Sequence, residues 1–272
     1  MIRRPPRSTQ SRSSAASDVY KRQAKESADI ILLEKSLMVL EEGVVEGRKI
    51  FGNIMKYIAI TASSNFGNVF SVLVASAFLP FLPMAPLQLL FLNLTYDLSM
   101  TSIPWDRMDR EYIEKPRKWD AANIGHFMVW FGPTSSIFDI TTYALMFFVV
   151  GPMVIGDSYF LLPAELKAQF VSLFQAGWFV ESLWTQTMAV HMLRTEKVPF
   201  IQSMPAWSLF LFTVTAILVG TVVPFTPFGA QLGMRPLPLI YLGIILIPTV
   251  LAYLTLAQYV KTRFIKRFGT LL

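Results

Sequence analysis

The chain has 272 residues, 53% of them apolar, and no cysteine, so disulfides, thiol ligands and thiol nucleophiles are excluded. Mean hydropathy is +0.48, and windows of 18 or more nearly uncharged residues recur, which a soluble domain of this length does not contain. The formal charge of +6 invites a nucleic-acid reading, but residues 1–23 alone carry +5 and residues 24–272 only +1, so no basic face for nucleic acid is expected.

In chain order, residues 1–23 are rich in Ser and Arg and lack apolar periodicity. They also lack the apolar stretch of a signal peptide. The string SRSSAASDVYKRQ resembles a translated sequencing-adapter remnant, so this segment is expected to be a disordered artefact. Residues 24–36 contain a short apolar run at 30–33 bounded by charges, which predicts the end of a buried strand from a cytoplasmic domain. Ser36 is placed to cap the helix that follows. Residues 37–56 predict a charged helix, with Glu41, Glu42, Glu46, Arg48, Lys49 and Lys56, running without a Pro into the first apolar span. A polar helix continuous with a membrane helix is a stalk.

Six spans are expected at about 57–79, 84–104, 124–150, 168–190, 206–224 and 236–258. The turn PFLPMAP makes the first two an antiparallel hairpin. Alternate loops and the basic tail at 259–272 carry eleven Lys/Arg, against Lys167 and Arg235 on the other side. That bias places both termini in the cytoplasm. The predicted fold class is therefore an all-α transmembrane bundle of six spans, with a cytoplasmic stalk and a strand remnant of an α/β domain. No internal repeat supports an inverted-repeat transporter.

Three carboxyl groups fall within spans: Asp97, Asp139 and Glu181. Each costs roughly 2.5–3.5 kcal/mol to insert at a helix centre and is expected to face a bundle interior. Asn93 and Asp97, four residues apart, lie about 40° apart on one helix. Asn65 and Asn68 on the first span lie about 60° apart, with Thr61, Ser63 and Ser64 in the preceding turn. The hairpin makes these helices neighbours, so amide oxygens and one carboxylate can face a common point. Such ligands suit a hard cation, Mg²⁺ or Ca²⁺. The plain alternative is hydrogen bonding between helices, which Asn and Ser commonly supply. Glu181 shares a polar face with Ser182, Thr185 and Gln186 and is expected either to line the same path or to pair with another helix. Asp139 is expected to bond Ser or Thr. His126 and His191 are expected at the membrane interface.

The runs EEGVVEGRKIFGNIMKYI, SSNFGN, LQLLFLNLTYDLSM and DRMDREYIEKPRKWD resemble the C-terminal part of P-type cation-transporting ATPases, in particular the bacterial magnesium-importing group. AKESADIILLEKSL resembles the end of that family's phosphorylation domain, and GWFVESLWTQ its eighth membrane helix. The resemblance covers about residues 24–272 and implies that the spans are membrane helices five to ten of an ATP-driven pump in the bacterial inner membrane. It implies Asn68, Asn93 and Asp97 as Mg²⁺ ligands, with Asn65, Tyr96 and Glu181 as a second rank. Related calcium pumps have Glu in place of Asn68 and Thr in place of Tyr96, and the lower charge here favours a single divalent ion that keeps some water. The chain contains no DKTGT, TGE or GDGxND motif, nor the Pro-Glu-type motif of the fourth helix. By this resemblance it is a fragment without a phosphorylated Asp, and ATP acts only through domains outside it. A passive channel, a secondary carrier, an accessory membrane subunit and a calcium pump are the rival readings.

Overall fold

A computed structural model describes residues 23, 25–28, 31 and 36–271. The chain divides into two compact units, residues 1–47 and 48–272. In the first, Ser36 Oγ accepts from Met38 N at 3.2 Å, the capping contact expected at the start of α1 (Leu37–Phe78). The expected strand at 30–33 lies outside the described residues except for Ile31, which is in no strand.

The second unit is helical. After α1 come α2 (Pro86–Met100), α3 (Ala121–Ile155), α4 (Ala164–Leu193), α5 (Trp207–Phe225) and α6 (Tyr241–Phe268). Pro86 opens α2 at its first turn, where a missing N–H is harmless, and Gln88 Oε1 accepts from Ala85 N at 3.0 Å. Asp120 caps α3 by accepting from Ala122 N and Asn123 N. α3 and α6 each contain a widened π-helical stretch, Met146–Val150 and Tyr241–Leu246. Each stretch stands just before a proline, Pro152 or Pro248. Widening relieves the clash of the proline ring with the preceding turn and absorbs the lost N–H.

Four helices, α1, α3, α5 and α6, are long and apolar enough to cross a membrane. Of the six spans expected from the sequence, these four qualify by length and composition. α2 has 15 residues and rises only about 22 Å, short of a hydrocarbon core of about 30 Å. α4 has 30 residues but too many polar ones. The reason lies in packing. α4 is surrounded by α2, α3, α5 and α6, and every residue from 173 to 183 is buried. Its polar side chains meet protein rather than lipid.

α1 and α3 meet at two glycines. A Cβ on Gly67 would lie 2.8 Å from Gly132 O and 2.6 Å from Ser135 Oγ. Ser136 Oγ donates to Gly67 O at 3.1 Å. Small residues let the two backbones touch here, and the contact fixes α1 one residue before Asn68.

Candidate functional site

The structure places the sequence-predicted residues at different depths. Tyr96 is buried, Asn68 and Asn93 are half-buried, and Asn65 and Asp97 are exposed. The expectation that Asp97 faces a closed interior is therefore corrected. It lines an open cleft of about 640 Å³ between α1 and α2, with Ile50, Ile54, Tyr57, Leu94 and Leu98 among the walls.

Beside Asp97, the buried Tyr96 hydroxyl faces Ser64 and Thr61 of α1. These three hydroxyls interact with one another, and none has a partner outside the group. Hydroxyls that find only one another keep acceptor lone pairs that water or a hard cation can use. Asn68 is held elsewhere. Its Oδ1 accepts from Gln186 Nε2 of α4 at 2.9 Å, and the same nitrogen lies 2.7 Å from Ser182 Oγ. No hydrogen bond joins Asn68, Asn93 and Asp97 to one another among the described residues. Nor do three His, Asp or Glu side chains converge there, so any site must be built from amides, hydroxyls and one carboxylate.

Glu181 does not turn towards Asp97. It is fully buried and stands against Asp139 of α3. Asp139 accepts from Ser71 Oγ at 2.6 Å, the Ser bond expected from its sequence, and from Trp178 Nε1 at 2.7 Å. The Trp178 contact was not foreseen, although Trp178 precedes Glu181 by one helical turn. His191 is buried rather than interfacial, with Nε2 2.9 Å from Thr213 Oγ1. His126 is exposed and stacks on Phe268 with ring centroids 4.7 Å apart.

A second polar cluster escaped the sequence reading. Asp106, after α2, is buried and accepts from Lys56 Nζ at 2.8 Å. It also accepts from Arg194 at 3.0 and 3.1 Å and from Ala206 N at 3.0 Å. Asn53 donates to Pro104 O and Asp106 O. Burial alone would raise the Asp106 carboxyl, but the Lys56 and Arg194 cations outweigh it and hold it below the usual carboxylate range. Asp109 accepts from Thr195 and Ser203, and Lys261 Nζ donates to Met192 O, Thr195 O and Lys197 O at the end of α4. This cluster ties α1, the loop after α2, the end of α4 and α6 together. Lys56, Asp106 and Arg194 read in the sequence only as loop and stalk charges, because their pairing spans 50 and 88 positions.

The family model described as "Cation transporting ATPase, C-terminus" matches residues 81–262. The chain is 57% identical over 246 residues to "Magnesium-transporting ATPase, P-type 1" of Salmonella typhimurium, covering 90% of this chain and 26% of that protein. The protein of the same name from Escherichia coli K12 is 53% identical with the same coverage. The "Endoplasmic reticulum calcium ATPase srcA" of Aspergillus fumigatus is 31% identical over 109 residues, 39% of this chain and 11% of its own length. The chain thus spans about a quarter of the length of the curated magnesium-transporting relatives.

Proposed function

This chain belongs to the cation-transporting ATPase family, and we propose that it forms the membrane part of a P-type pump that imports Mg²⁺ into the bacterial cytoplasm. Mg²⁺ is the substrate. ATP, itself bound as its Mg²⁺ complex, acts through other parts of a longer protein. The observation that carries the reading is the carboxylate of Asp97 in a largely apolar cleft, with the Tyr96, Ser64 and Thr61 hydroxyls grouped beside it. One carboxylate with amide and hydroxyl oxygens suits an ion that keeps part of its water shell, as Mg²⁺ does.

Asn68, Asn93 and Asp97 are the assigned ligands, with Asn65 and Tyr96 in supporting positions. Glu181 belongs by its contacts to Asp139. For Asn68 to turn its amide oxygen to the ion it must give up Gln186, so a shift of α1 against α4 sets the site's affinity. The buried Asp106 cluster transmits such a shift from α1 to α4.

The chain crosses the inner membrane six times, with both termini cytoplasmic. Its lipid partner is the bilayer, and nothing in its charge pattern suits nucleic acid. α2 completes its span with the flanking residues of its loops, and α4 crosses inside the other helices. In the whole protein, Asp97→Asn and Asn93→Ala are expected to abolish Mg²⁺ uptake while leaving membrane insertion intact. Wild-type uptake and Mg²⁺-stimulated ATPase activity in both variants would overturn the proposal. Calcium is disfavoured because the calcium-transporting relatives share only 31% and 35% identity, over 109 and 97 residues.

A further inference from the structure

α4 ends at Leu193, and the chain then turns through residues 194–206 before α5 begins. A helix that stops leaves its last carbonyls without N–H partners, and the negative end of its dipole lies there. Three carbonyls of this corner converge on one point. Met192 O, Thr195 O and Lys197 O stand 2.9, 3.2 and 2.8 Å from Lys261 Nζ of α6. Lys261 is 0% exposed. The three oxygens take up three N–H groups, and only the protonated form of a lysine has three.

Among the described residues no carboxylate forms an ion pair with Lys261. The ion pairs of this region join Asp106 to Lys56 and Arg194, and Glu111 to Lys197. Asp109 is engaged by Thr195 and Ser203, and Glu196 by Thr270 and Leu271 N. The buried charge is thus held by neutral oxygens at a helix end. Carbonyl oxygens grouped in this way also bind bare monovalent cations, by replacing their water shell. Potassium resembles ammonium in size and charge. Mg²⁺ does not suit the cage. It asks for an octahedron of oxygens at about 2.0–2.1 Å and keeps several waters, whereas these are three neutral oxygens at 2.8 to 3.2 Å from the nitrogen.

We propose that the carbonyls of Met192, Thr195 and Lys197 form a monovalent-cation site that the chain fills with its own ammonium, that of Lys261. The site is separate from the Asp97 cleft and does not rest on the identity of the transported metal. The tethered cation fastens α6 to the end of α4 at any potassium concentration. A cation carried on α6 is already close to the cage, so it loses less freedom on entering than an ion from solution and excludes that ion. Once the side chain is cut back, the cage is open to the cations of the solvent.

The test uses the whole protein that carries this chain, in lipid nanodiscs, with thermal unfolding read by the fluorescence of tryptophans such as Trp178 and Trp184 of α4. Potassium chloride, ammonium chloride and N-methylglucamine chloride are compared at equal ionic strength. The wild type is expected to have one Tm in all three. Lys261→Ala opens room for an ion. Its Tm is expected to fall by at least about 3 °C in N-methylglucamine and to recover most of that loss in potassium or ammonium. Lys261→Met fills the space of the stem without a charge, so its Tm is expected to be low in all three solutions. A wild type that potassium stabilises overturns the proposal, as does a Lys261→Ala that potassium leaves unchanged. So does a Lys261→Met with the wild-type Tm, or one that potassium raises as much as Lys261→Ala. Failure of Lys261→Ala to fold even in potassium also overturns it, because the cage would then not accept the free ion.

Discussion

Asp106 gives the sharpest energetic test of how the helices are tied together. Its carboxylate is fully buried and is the acceptor for two buried cations, Lys56 and Arg194, and for Ala206 N. In Asp106→Ala both cations stay buried without a counter-charge. Removing one partner of a buried ion pair costs about 3–5 kcal/mol. In Lys56→Met the alkyl stem is kept, and Asp106 retains Arg194 and Ala206. The bond to the Asp106 carboxylate is lost at about 1.5–3 kcal/mol, together with the weaker one from Lys56 Nζ to the half-buried Arg107 O. For a unit of this size each kcal/mol moves Tm by about 2–4 °C, so Asp106→Ala is expected to lower Tm by about 6–20 °C and Lys56→Met by about 3–12 °C. Thermal unfolding in nanodiscs, followed by tryptophan fluorescence, reads both. If Lys56→Met destabilises as much as Asp106→Ala, or if Asp106→Ala costs less than about 1 kcal/mol, the carboxylate is not the hub of the cluster.

The same residue sets an acid limb. Because the folded carboxyl titrates below its unfolded value of about 3.9, its contribution is complete above that pH and is lost as pH falls through the folded value. Asp106→Asn should therefore flatten the loss of stability below about pH 4 in an acid titration of Tm. Gly67→Val should destabilise by about 1–3 kcal/mol, because the added carbons enter the space of Gly132 O and Ser135 Oγ. A wild-type melting temperature in that variant would mean that α1 and α3 are not in backbone contact. Gln186→Leu removes the donor that holds Asn68 in its present position. At about 0.5–1.5 kcal/mol for that bond, the Mg²⁺ concentration for half-maximal ATPase activity in the whole protein should change by about two- to tenfold. An unchanged value would detach Gln186 from the cation path.

Much of this protein was legible in the order of its residues. Apolar windows, the Pro-rich turn at 79–86 and the Ser36 cap are local signals, and local signals survive without tertiary context. The Asn and Asp residues of SSNFGN and NLTYD stood out because a membrane helix has little reason to carry them, and the family motifs lie in the same runs. The span expected at 168–190 falls on α4, which four other helices enclose along 173–183, so that it can carry Gln175, Glu181 and Gln186. Hydropathy placed Asp97 in an interior, when the side of α2 that bears it opens on a cleft.

The pairings were decided by tertiary structure alone. Asp139 with Trp178, Asn68 with Gln186, and Asp106 with Lys56 and Arg194 join positions 39 to 118 apart. No periodicity along one helix reports which face of a distant helix it meets. Composition thus determined that this chain lives in a membrane and which side chains are too polar to be there idly. The packing of α1, α3 and α4, with α1 and α3 in close contact at Gly67 and Gly132, determined which of those side chains are satisfied by one another.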